Sequence, residues 1–161
     1  MSAIEVDLRL RSPHWSRVTA SADTVNDGNG LWVRADHDCS DPTDPEVLAS
    51  HPGRLAAIQI DGDEVVLAQD RLRSWPLFWS LQDGVGGAQR LVISDDTTLM
   101  REAVSTPRLD ARARREFLDA GFVTGSDTLL AGIHQTEQGT VVRIDRATGR
   151  VRTINHSLGR F

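Results

Sequence analysis

Two apolar runs, Leu55-Ala-Ala-Ile-Gln-Ile60 and Glu64-Val-Val-Leu-Ala68, flank Asp61-Gly62-Asp63, and this pattern constrains the chain more than any other. Asp-Gly between β-rich runs predicts a hairpin, since glycine accepts the positive φ that a tight turn of matching twist requires. Both runs are apolar at odd and even positions alike. Strands of that kind need cover on both faces, so they belong inside a layered structure and not in a one-sided sheet.

The rest of the chain is read around that hairpin. Before it, Leu8, Leu10 and Val18 hint at alternation, and Gly30-Leu-Trp-Val-Arg34 is expected to be a short strand after the turn signal Asn26-Asp-Gly-Asn-Gly30. Residues 36–52 are acidic and proline-bearing, which predicts a loop with one helical turn at Glu46 to Ser50. After the hairpin, strands are expected at Leu77 to Ser80 and at Arg90 to Ser94, separated by a turn containing Gly84, Gly86 and Gly87. The period then changes. A short helix is expected from Thr97 to Val104, opened by Asp95 or Asp96. A longer one is expected from Asp110 to Ala120, with Asp110 as cap, Ala113, Phe117 and Leu118 as its apolar stripe, and Gly121 as its stop. Thr140 to Asp145 and Arg150 to Ile154 form a second hairpin across Arg146-Ala-Thr-Gly149. The prediction is an α+β chain rich in antiparallel strands.

Composition removes several function classes. A chain of 161 residues fits one domain. No run approaches the roughly 18 apolar residues that cross a bilayer, and the start lacks a basic region followed by an apolar one, so neither a membrane span nor a signal peptide is expected. The lone cysteine, Cys39, leaves no internal disulfide and points to a reducing, cytoplasmic setting. All 18 basic residues are arginine, which excludes a lysine nucleophile, Schiff base or P-loop lysine. The net charge of −5 argues against a nucleic-acid partner, because phosphate contacts need clustered cations.

Three collinear segments resemble the amidotransferase domain of asparagine synthetases. The first runs from Gly53 to Trp79. The family pattern there is a strand, a hairpin ending in Arg-Asp-x-x-Gly, and Pro-Leu-Tyr-Tyr; Asp70, Pro76 and Leu77 match it, Phe78 and Trp79 take the aromatic places, and Arg73 replaces the usual glycine. The second is Leu91 to Leu99, where Ser94 and Asp95 take the places of a Ser-Glu pair. The third runs from Leu109 to Asp145, with Gly132, Ile133 and Gly139 matching. The resemblance is clearest over residues 53–154, while 1–52 are divergent and shortened. It implies a shortened fold of the N-terminal-nucleophile (Ntn) hydrolase type, with layered antiparallel β-sheets and flanking helices, over a single domain of 1–161.

The same resemblance implies that the chemistry is missing. Active members carry a cysteine after the initiator methionine, whose amine serves as base for its own nucleophile. Here that place holds Ser2, a weaker nucleophile and the one catalytic candidate. The family's Asn-Gly segment, which forms the oxyanion hole, is absent; Arg11-Ser-Pro-His14 and Ser40-Asp41 or Asp44 are faint echoes of its other site motifs. Other constellations read as structure. His37 and Cys39 lack two further ligands at zinc-like spacing. The acidic stretch from Asp36 to Glu46 lacks the ligand order and central glycine of an EF-hand. No metal or cofactor is expected. Arg108, Arg112, Arg114 and Arg115 form an exposed helix face, with an acidic partner as the functional alternative.

In the resembled family this domain precedes an adenylating synthetase domain with a Ser-Gly-Gly-x-Asp-Ser loop, of which this chain has no trace. The leading expectation is a catalytically silent, amidotransferase-like subunit that binds and supports a separately encoded synthetase of the ATP-pyrophosphatase type. The expected partner surface is Asp70, Arg71, Arg73, Trp75, Pro76, Phe78 and Trp79, with Ser94 and Asp95. The alternatives are an amide hydrolase using Ser2 and a small regulatory or interaction module.

Overall fold

The hairpin forms where the sequence places it. A computed structural model describes residues 4–12, 14–18, 30–83 and 89–156. The expectations at Ser2, at Asn26 to Asn29 of the turn signal, and at Gly84 to Gly87 lie outside the described residues. Among the described residues ten strands occur in chain order: β1 (Ile4–Arg9), β2 (Ser16–Val18), β3 (Gly30–Ala35), β4 (Leu55–Asp61), β5 (Glu64–Gln69), β6 (Phe78–Asp83), β7 (Gln89–Ser94), β8 (His134–Gln135), β9 (Thr140–Asp145) and β10 (Val151–Asn155). Three helices accompany them: α1 (Pro45–Ser50), α2 (Thr97–Ala103) and α3 (Ala111–Ala120). The class is α+β, with two sheets in which antiparallel pairing predominates. No described helix is long and apolar enough to cross a membrane.

The described chain divides into two compact units. The first holds the six-stranded sheet β10-β9-β5-β4-β3-β2, antiparallel throughout. Asp61 pairs with Glu64, so Gly62-Asp63 is a two-residue turn, and β4 and β5 are buried on both faces as their double-sided apolar pattern demands. On one face Leu55, Ala57, Val66, Ala68 and Val141 pack with Leu48 of α1. On the other, Ile58, Val65, Leu67 and Ile144 are wholly buried. Helix α1 starts as its sequence dictates: the Asp44 carboxylate accepts from the Glu46 N–H, and Pro45 fills a first-turn position where no N–H is needed.

The second unit holds the sheet β1-β7-β6-β8. Its β1 runs parallel to β7, with Ile4 opposite Gln89 and Arg9 opposite Ser94. Helix α2 is capped by Asp96, and α3 by Asp110 and by Gly121 in the left-handed conformation at φ 81°. One sequence expectation fails here. The apolar stripe of α3 is not a core face, because only Ala113 of that helix is buried while Phe117 and Leu118 are exposed. The unit's packed cluster is Val92, Met100, Ala103 and Ile133 with half-buried Phe78, Val104 and Leu130, and α3 contributes nothing to it.

Candidate functional site

The register of the β4–β5 pair places Asp70 opposite Leu55, and Asp70 builds the loop that follows. Its backbone N–H donates to the Leu55 carbonyl at 3.0 Å, and the Leu55 N–H donates to Asp70 Oδ2 at 2.9 Å. The carboxylate also accepts from the N–H of Leu72 at 2.7 Å, from the N–H of Ser74 at 3.2 Å and from the Ser74 hydroxyl at 3.3 Å. The Asp70 carbonyl takes the N–H of Arg73 at 3.2 Å and that of Gly139 at 2.8 Å. A buried carboxylate with this many donors is a scaffold for its own turn.

Within that loop Arg73 sits at φ 51°, and no other described non-glycine residue has a positive φ. An L-residue with a long side chain is strained there by about 1 kcal/mol relative to glycine. Arg73→Gly removes that strain and adds freedom to the unfolded chain. The expected net gain is between zero and about 1 kcal/mol in urea unfolding, whereas a clear loss of stability would show that contacts of the arginine side chain outweigh the strain.

Beside the loop lies a cavity of about 440 Å³. Its apolar wall is Leu48, Pro52, Leu55 and Leu72, and its polar wall includes His37, His51, Arg54, Arg71 and Ser74. Gly53 permits the wall to close: a Cβ there would lie 2.7 Å from His37 Cδ2 and 3.4 Å from His51 Nε2. Both imidazoles therefore converge on one bare Cα, and His51 Nε2 is buried without a hydrogen-bond partner. Arg54 grips Asp36 through Nε at 2.7 Å and Nη2 at 3.1 Å, and this contact holds the Asp36 carboxyl below its usual value. The same guanidinium lies 4.9 Å from the centre of the Trp75 ring, with the Arg34 guanidinium 4.3 Å from it. Two cations over one indole fix Trp75 at the surface by cation–π attraction and by packing of their stems.

Several of these polar groups already have partners. Asp36 is spent on Arg54, Asp70 on its loop, and the Ser74 hydroxyl on Asp70. Cys39 packs beside the α1 cluster, and burial pushes its thiol above the usual range, which disfavours the thiolate. Among the described residues no group of three or more His, Cys, Asp or Glu gathers as metal ligands.

The predicted partner residues are distributed between the two units. In the first, Arg71 is exposed, Arg73, Trp75 and Pro76 are half-buried, and Asp70 is buried. In the second, two of the predicted surface residues, Trp79 and Ser94, are buried and Phe78 is half-buried. Trp79 is 8% exposed and stacks on His134 at 4.5 Å. Ser94 is fully buried and its hydroxyl donates to the Arg9 carbonyl at 2.6 Å. Phe78 packs into the cluster around Met100. Asp95 accepts the Arg11 N–H at 2.9 Å, and Asp96 pairs with the Arg11 side chain, so this segment fastens the end of β1. The aromatic density at Phe78-Trp79 reflects packing.

Sequence reasoning missed His51 and His156, since a single histidine in a loop carries no spacing signal. His156 is buried; its Nε2–H donates to the Gln69 carbonyl at 2.9 Å, leaving Nδ1 buried without a partner. Burial lowers its pKa from the ordinary 6.5, with Arg71 adding to the effect. Above 6.5 both folded and unfolded chains hold it neutral; below 6.5 the unfolded chain takes a proton that the folded chain resists. Stability is then complete at neutral pH and falls as the pH drops below 6.5 toward the folded value. The urea midpoint is expected to decline between neutral pH and about pH 5, and His156→Gln to flatten that decline.

No protein-family model matches the chain, and no curated protein matches it.

Proposed function

We propose that the chain is a non-catalytic, amidotransferase-like subunit of shortened Ntn-hydrolase type, which binds and supports a separately encoded synthetase of the ATP-pyrophosphatase class. The observation that carries this reading is Arg73. It stands where the resembled family has glycine, and it adopts the left-handed backbone that would call for glycine. Two residues that match the family's glycines, Gly132 at φ 77° and Gly139 at φ 62°, also need positive φ. The antiparallel predominance of both sheets and the placement of Ser94-Asp95 between a strand and a short helix support the same reading.

Silence of the chemistry is supported by the cavity, whose carboxylates and hydroxyl are already engaged. What remains for contact is Arg71 and Leu72 of the cavity wall, both exposed, with the clamped Trp75 beside them. Arginine with tryptophan is the composition of an interface hot spot. Co-expression of the tagged chain with the ATP-pyrophosphatase-type proteins of its own host tests the proposal. One such protein should co-purify at a defined ratio, and Arg71→Glu with Trp75→Ala should weaken the complex. Retrieval of none of them would overturn the reading.

A further inference from the structure

Helix α3 carries its charges at the wrong ends. Arg112 and Arg114 stand in its first turn and Arg115 directly after, where the positive end of the helix dipole repels them, while Asp119 stands in the last turn, near the negative end. A helix placed only for its own stability would have the reverse order. No described ion pair or hydrogen bond engages the side chains of these three arginines. The chain as a whole has a net charge of −5, so this cluster is a local exception.

The same helix exposes apolar surface. Leu118 is 70% exposed and lies three and four residues beyond Arg115 and Arg114, so the three side chains share one face. Phe122, just past the helix, is 58% exposed. The helix is tied down through few groups: Ala113 is its one buried residue, the Asp110 N–H donates to the Leu129 carbonyl at 3.0 Å, and Glu116 accepts the Thr124 N–H at 3.2 Å. A large apolar side chain between two unpaired guanidiniums calls for a complement with the opposite charge and its own apolar centre.

We propose that the outer face of α3 docks an acidic amphipathic segment of a partner protein, its carboxylates on Arg114 and Arg115 and its apolar side chain on Leu118. This goes beyond the partner-binding reading, since α3 belongs to the other compact unit from Arg71 and Trp75. A carboxylate at this end of α3 answers both the arginines and the dipole. A phosphate backbone offers no apolar side chain to cover Leu118, which favours a protein segment over nucleic acid as the occupant.

The test is a titration of the full chain against three labelled synthetic helical peptides: one with glutamates flanking a leucine stripe, one with lysines in place of the glutamates, and one with serines in place of the leucines. The first is expected to bind, the other two to fail, and binding of the first to weaken about tenfold or more between low and high salt. R114E/R115E is expected to weaken binding at least about tenfold, while its melting temperature stays level or rises because the new charges suit the dipole. L118S is expected to weaken binding with no change of fold, and decides the matter if the charge-reversed variant fails to fold. R152E, at an exposed arginine of β10 outside both contact surfaces, is expected to bind as the unchanged chain does. No binding of the acidic peptide, equal binding of the lysine peptide, or full affinity in R114E/R115E would overturn the proposal. So would displacement by a single-stranded oligonucleotide, or an oligomer of the chain that R114E/R115E dissolves, which would make a second copy the occupant. Failure of co-purification with a synthetase leaves these peptide results standing, and failure here leaves co-purification standing.

Discussion

Asp70→Ala is expected to lower the folding stability by about 3–5 kcal/mol, because it orphans buried donors and not because it removes a charge pair. Asp70 is 7% exposed, so water does not replace its carboxylate readily. The Leu55 N–H, itself at a fully buried residue, loses its acceptor, and the N–H groups of Leu72 and Ser74 lose the group that fixes the turn. Hydrogen bonds to an ionised acceptor contribute about 1.5–3 kcal/mol each, and their loss here is partly shared as the loop relaxes. Asp70→Asn keeps one acceptor oxygen and is expected to cost about half as much; Ser74→Ala, which removes one long hydroxyl contact, is expected to cost no more than about 1 kcal/mol. Urea midpoints of the three variants give the comparison. A cost for Asp70→Ala as small as that of Ser74→Ala would show that the loop finds other acceptors.

Trp79→Ala is expected to cost about 3–5 kcal/mol, the usual loss for a large aromatic cut out of a core. Its ring is stacked on His134 and is 8% exposed, so truncation leaves a void. Trp75→Ala offers the contrast. Its ring is held by Arg34 and Arg54 at the surface, and each cation–π contact there contributes about 0.5–1 kcal/mol, so the expected total is about 1–2 kcal/mol. Thermal unfolding followed by near-ultraviolet dichroism separates the two. A Trp79→Ala chain with unchanged stability would restore Trp79 to the surface.

The legible parts of the sequence are those whose signal is local. Asp61-Gly62, Asp96, Asp110 and Gly121 each carry their own turn or cap chemistry, and the structure places each in that role. Parallel pairing of β1 with β7 is a different matter, because alternation at Leu8 and Leu10 hints at a strand but says nothing of a neighbour some eighty positions away. Strands as short as β2 and β8 fall below any periodic signal. The α3 stripe misleads because periodicity reports an apolar face and not whether something covers it. At the site, Asp70 stands out through its motif. The convergence of His37 and His51 on Gly53 depends on a loop closing over a strand, which no spacing encodes.

Parallel pairing of β1 with β7 also sets the order in which the chain can fold. The β4–β5 hairpin closes over a two-residue turn and is available as soon as it is synthesised. The four-stranded sheet cannot place β1 until Ser94 has been made, and the six-stranded sheet cannot seat β9 against β5 until Asp145 has been made. Each sheet thus recruits a strand from far along the chain, and loop closure has to precede the contacts that reward it. Refolding from denaturant is therefore a slow process by the standard of small domains, in milliseconds to seconds, and on the ribosome an early strand spends most of translation waiting for its neighbour.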